Sequence, residues 1–162
     1  MKEIKTMTEI ALLTGLITIS GAFKIPSLLP GTEFQLSAPI AIAICVVFGF
    51  KKYIIAGVLS SLIGLILGTQ TILNVAVACI FRVVAGGILT LGPKKFWLIA
   101  IAGPIGTAVA RLSLSMLVGK AAGALLIAAL PGMAFTAICA MPMVKILEKA
   151  RMIGEKRATN VI

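Results

Sequence analysis

The chain alternates between long apolar runs and short breaks that are polar or carry proline. The runs cover residues 10–23, 37–50, 53–67, 72–91, 96–118 and 121–147. A helix rises 1.5 Å per residue, so crossing a bilayer core of ~30 Å takes about 20 mostly apolar residues. The last three runs reach that length. The first three are short and are expected to tilt or to borrow flanking residues such as Met7, Thr8 and Thr69. Residues 97–147 carry charge only at Arg111, Lys120 and, near the inner end, Lys145, which suits two spans of about 25 residues with a turn at Gly119 and Lys120. The pattern predicts an all-α integral membrane bundle of six helices over residues 1–147 and a basic tail over 148–162. No secretory signal with a small-residue cleavage site precedes the first run, so the N-terminus is expected to be retained.

Composition narrows the chemistry. The chain is 60% apolar and 12% charged, with a mean hydropathy of +1.15, against about 25% charged residues in an ordinary soluble domain. It has no His and no Asp, and only five Glu. Hydrolytic triads, carboxylate metal cages and His-ligated centres need those side chains as bases or ligands, so no enzyme, metal or cofactor is expected. Cys45, Cys79 and Cys139 lie singly inside apolar runs and read as small buried hydrophobes. A Gly-x4-Gly-Lys-Ser/Thr phosphate loop is also missing.

The charge of +10 is explained by topology. Lys and Arg near span ends are retained on the cytoplasmic side. With the N-terminus inside, Lys2, Lys5, Lys51, Lys52, Lys94, Lys95, Lys145, Lys149, Arg151, Lys156 and Arg157 are cytoplasmic, and only Lys24 and Lys120 are outside. An odd number of spans would put the basic tail outside, so both termini are expected in the cytoplasm. The basic residues are scattered over four segments without interleaved aromatics, which argues against nucleic acid. The tail from Met143 to Arg157 mixes these charges with Ile146, Leu147, Met152 and Ile153 and reads as a surface helix, solvated or touching anionic lipid.

Polar residues inside the runs carry the functional signal. Arg82 and Arg111 sit deep, and each costs roughly 2.5–3.5 kcal/mol at a helix centre, so such residues face a cavity or a partner. Only Glu33 offers a carboxylate on the outer half, so one or both arginines serve a ligand or else snorkel to headgroups or bond exposed backbone carbonyls in the Gly-rich spans. At 100° per residue Asn74, Ala78 and Arg82 share a sector of the fourth helix. Gly103, Thr107, Arg111, Ser115 and Gly119 repeat every four residues on the fifth. These stripes line a common pocket or serve close helix packing, the second being the stronger reading for the glycines. Pro131 and Gly132 are expected to interrupt the sixth span near mid-depth, and Pro142 to kink its inner end. The first outside connection, residues 24–36, has Pro26 and Pro30 against helix and Gly31 for a turn. Its apolar Ile25, Leu28, Leu29 and Phe34 suit either a lid over a pocket or an interfacial loop.

This layout resembles the substrate-binding S-components of energy-coupling factor (ECF) vitamin transporters. The carrying features are six spans, cytoplasmic termini, the small-xxx-small stretch Ala11-Leu12-Leu13-Thr14-Gly15 extended by Thr18 and Ala22, and the basic turns Gly49-Phe50-Lys51-Lys52-Tyr53 and Gly92-Pro93-Lys94-Lys95. Gly15 replaces the alanine more usual in that family. The resemblance implies that Ala11 and Gly15 dock on a partner transmembrane subunit energised by paired ATPases. It also implies a first outside loop acting as a lid, with substrate contacts at Glu33, Phe34, Gln35, Gln70, Asn74, Arg82 and Arg111. The implied substrate is a vitamin or vitamin precursor, the implied location a bacterial plasma membrane. With no His, the metal-importing branch of the family does not fit. Two other readings stand beside it: a stand-alone secondary transporter or channel-like protein, and a membrane scaffold with no transport role.

Overall fold

The computed structural model describes residues 2–26, 33–35, 37–93, 95–118 and 122–159. Six helices follow one another: α1 (Lys2–Ala22), α2 (Ser37–Phe48), α3 (Phe50–Ile66), α4 (Ile72–Leu91), α5 (Phe96–Val118) and α6 (Ala122–Thr159). Between α1 and α2 the chain forms two short antiparallel strands, β1 (Lys24–Pro26) and β2 (Glu33–Gln35), with Ile25 opposite Phe34. The all-helical expectation is thus modified by one small hairpin, in the segment where Pro26 and Pro30 exclude helix. The apex proposed as a lid, residues 27–32, lies outside the described residues.

Among the described residues three helices are long and apolar enough to cross a membrane, over Ile72–Leu91, Phe96–Met116 and Ala129–Lys156. The short α2 is the post around which the others stand. Every residue from Pro39 to Val47 is buried, as expected of a helix apolar on all sides. It touches all five other helices, while α1, α3, α4, α5 and α6 form a wall in that order, each against the next. The strand β2 touches both α1 and α6, the two ends of the wall.

Missing side chains set the close approaches. A Cβ on Gly103 of α5 would lie 2.4 Å from Thr136 Cγ2 of α6, and one on Gly86 of α4 would lie 2.5 Å from the Phe50 ring of α3. A Cβ on Gly106 would meet Phe81 and Ala85 of α4 at 3.0 Å. Lipid tails are as apolar as the helices, so shape-matched contact of this kind holds such a bundle together. Within the α5 stripe Gly103 accordingly serves packing against α6, the Thr107 hydroxyl bonds the Gly103 carbonyl within the helix, and Gly119, with Lys120 at the expected turn, lies outside the described residues.

Two expectations are corrected. Pro131 and Gly132 do not interrupt α6, which runs unbroken through both prolines. Intrahelical bonding is the cheapest way to satisfy backbone groups away from water, so the helix absorbs them. Thr18 does not extend an outward stripe on α1. Its hydroxyl lies 3.0 Å from Ser60 Oγ of α3 and so faces the bundle.

The end of the bundle away from the hairpin is tied by charge. Glu9 of α1 pairs with Lys52 of α3. Arg151 of α6 donates to the Val47 carbonyl of α2 at 2.7 Å and lies over the Phe48 ring at 5.7 Å.

Candidate functional site

Arg82, in the middle of α4, is 6% exposed. Its Nη1 donates to Ser61 Oγ of α3 at 2.7 Å. Gly57, one turn from Ser61, makes room for it: a Cβ there would lie 2.4 Å from Nε and 2.6 Å from Cδ. The Tyr53 phenol and the Cys79 thiol are its other polar neighbours. The Tyr53 hydroxyl is buried and finds no hydrogen-bond partner. A guanidinium, an unpaired phenol and the buried Ser61 hydroxyl therefore meet where α3 and α4 touch, and among the described residues the groups around the cation are neutral. The described carboxylates are elsewhere: Glu9 is with Lys52, Glu155 with Arg151, and Glu3 and Glu148 are exposed.

Toward the hairpin, Gln70 occupies the turn between α3 and α4. Its backbone N–H bonds the Gly64 carbonyl at 3.1 Å, and its side chain fits the space left by Gly64 and Gly21. A Cβ on Gly64 would meet it at 3.1 Å, and one on Gly21 would meet both Ser37 and the Gln70 amide. The carboxamide is thus held among α1, α2 and α3, and its Oε1 is buried with no donor.

The remaining predicted positions divide. Glu33, Phe34 and Gln35 form the backbone of β2, beside α1 and α6. Asn74 is exposed at the start of α4, where its N–H bonds the Thr71 hydroxyl that caps the helix. Arg111 is half-buried on α5. The α4 face toward α5 carries Phe81 and Ala85, whereas Arg82 turns to α3. The packing unites Arg82 with α3 residues that sequence reasoning did not select. A signal was present: Tyr53, Gly57, Ser61 and Gly64 recur at spacings of four, four and three, a polar and small face in an apolar helix.

On α1, Leu13, Thr14, Ile17 and Ser20 are buried, while Ala11, Leu12 and Ile19 are exposed. Gly15 lies on that outward side, and no atom stands within 4 Å of where its Cβ would be. Ala11 and Gly15 therefore belong to an uncovered face and do not hold this bundle together.

No family model matches the chain, and no solved structure matches it. A curated protein does: Protein BioX of Lysinibacillus sphaericus is 45% identical over 158 residues, which are 96% of this chain and 95% of that one. At that identity over nearly the whole of both chains, the protein belongs to the BioX family.

Proposed function

We propose that the protein is the membrane-embedded substrate-capture subunit of an ATP-driven importer of the ECF type, with six spans and both termini in the cytoplasm. It binds a vitamin or vitamin precursor from outside, in a pocket beneath the hairpin, and catalyses no reaction itself. The observation that carries this reading is Arg82. A buried cation whose bonded partner is a neutral serine retains most of its desolvation cost until an anion reaches it. The name of the relative, BioX, supports a biotin-related compound. Biotin is a carboxylate on an apolar chain carrying a polar ring, which suits a guanidinium reached through an apolar bundle, with the free Gln70 carbonyl above it as an acceptor for ring N–H groups.

The uncovered face of α1 supports the coupling half of the proposal. Ala11 and Gly15 leave a shallow strip on which a helix of a partner transmembrane subunit can approach closely, and the paired ATPases act through that partner.

Native mass spectrometry of the detergent-purified protein, followed by fragmentation of any retained small molecule, tests the capture role. A biotin-related compound retained by the wild type and lost from Arg82→Ala is the expected result. Retention of the same compound, at the same affinity, by a folded Arg82→Ala variant would overturn the assignment of Arg82.

A further inference from the structure

The far end of α6 carries a surface that substrate capture does not use. Thr136 lies against Gly103 of α5, and Ile42 of α2 is beside the same glycine, so these residues share one level of the bundle. From Ile42 to Val47 is five residues, about 7.5 Å of helix rise, whereas from Thr136 to Arg151 is fifteen, about 22 Å. Yet the Arg151 guanidinium reaches the Val47 carbonyl. α6 therefore descends obliquely here, and its last turns pass beside the inner end of α2. Phe48, Phe50, Phe96 and Trp97 mark that level, the aromatic belt expected where a bundle meets lipid headgroups.

The faces of this segment are sorted by chemistry. With Ala140 as zero and 100° per residue, Val144, Leu147 and Arg151 fall within about 40° of it. Val144 and Leu147 pack into the core. Lys145, Lys149 and Lys156 fall at about 140–180°, and Ile146 and Ile153 at about 220–240°. All five are exposed. Glu148 and Glu155 lie together at about 60–80°, on the other edge. Lys145 and Lys149 precede Arg151, so they stand at or above the belt and point away from the protein.

We infer that Lys145, Lys149 and Lys156, flanked by Ile146 and Ile153, form a binding surface for the phosphate headgroups of anionic phospholipids in the inner leaflet. The isoleucines enter the headgroup boundary, the lysines meet the phosphates, and the two glutamates are turned aside. Arg151 supplies the anchor that holds this segment at the membrane surface through Val47 and Phe48. The inference needs the basic end of the bundle to face the cytoplasm and is independent of what the bundle carries.

The test uses the full chain with one reporter, Ile153→Trp in a Trp97→Phe background, in nanodiscs of phosphatidylcholine and of an equimolar mixture with phosphatidylglycerol. The expected result is a blue-shifted emission with reduced acrylamide quenching in the anionic discs only. Each lysine favours the surface-bound state about fivefold, so Lys145→Gln, Lys149→Gln and Lys156→Gln together shift its ratio to the detached state on the order of a hundredfold and restore the quenching. Raising the salt to about 1 M, where charges are screened within roughly 3 Å, gives the same reversal without altering the lysines. Emission that is the same in both discs overturns the inference: exposed in both leaves the stripe to a protein partner, and shielded in both means the isoleucines act without the charges. A shift in anionic discs that survives the triple substitution overturns it too.

Discussion

Gly57→Ala tests the buried site most sharply, because the structure says which atoms the new methyl meets. The added Cβ lies 2.4 Å from Arg82 Nε, and ordinary contact begins at 3.4 Å, so the arginine must retreat by about 1 Å. The Nη1 bond to Ser61 is 2.7 Å long, and a movement of that size takes it beyond hydrogen-bonding range. The cost is the loss of a bond from a charged donor, about 1.5–3 kcal/mol, together with whatever the displaced side chain disturbs. Thermal unfolding in detergent, followed by circular dichroism, should show a lowered midpoint. A double-mutant cycle separates this from any general intolerance of α3. In an Arg82→Ala background the atoms the methyl meets are gone, so Gly57→Ala should there be nearly silent. A cost that persists in that background would refute the reasoning, and so would an unchanged midpoint in the single variant.

The same geometry gives further expectations. Arg82→Met replaces a buried charge without an anion by an apolar chain of similar reach, so the unliganded protein should unfold at the same or a higher temperature while binding of the proposed biotin-related substrate weakens about 10–150-fold, the equivalent of one charge-assisted bond; calorimetric titration and thermal unfolding measure the two sides. A Cβ on Gly15 would meet nothing within 4 Å, so the midpoint and substrate affinity of Gly15→Leu should match the wild type, while co-purification with a partner membrane subunit is lost. Gln70→Ala removes a buried acceptor that has no partner; it should weaken substrate binding with little effect on unfolding, and unchanged titration would remove Gln70 from the site. Deleting residues 27–31 should chiefly speed substrate release in a stopped-flow or filter assay, with association less affected.

How far the sequence could be read depends on which physical quantity each feature needs. The helices follow from apolar length, which is local, so α4 coincides with the expected run at 72–91 and α5 with that at 96–118. α1 begins eight residues before its apolar run because Lys2, Glu3 and Lys5 are good helix formers at a wet end. The hairpin was foreshadowed only negatively, by prolines that forbid helix, since a pairing of three residues is fixed by what the strands rest on, here α1 and α6. Pro131 misled because proline's cost is calibrated in water, whereas away from water a broken helix must find new partners for its backbone.

The direction of Arg82 is a different kind of case. Helical periodicity relates residues on one helix to each other, so Asn74 and Arg82 could be assigned to one sector of α4 from numbers alone. It does not say which neighbour that sector faces. The answer depends on α3 carrying Gly57 and Ser61 one turn apart, a recess and an acceptor that only together admit a guanidinium between two helices. Asn74, two turns along the same sector, is exposed at the helix start. Exchanging the two small residues should therefore misdirect the arginine even though composition is unchanged. In Gly57→Ser combined with Ser61→Gly the hydroxyl takes the space the side chain needs, and the acceptor is lost from the level that Nη1 reaches. Substrate binding should fall as far as in Arg82→Ala. A swapped variant that folds and binds as the wild type would show that the charge, and not its seat on α3, is what the site requires.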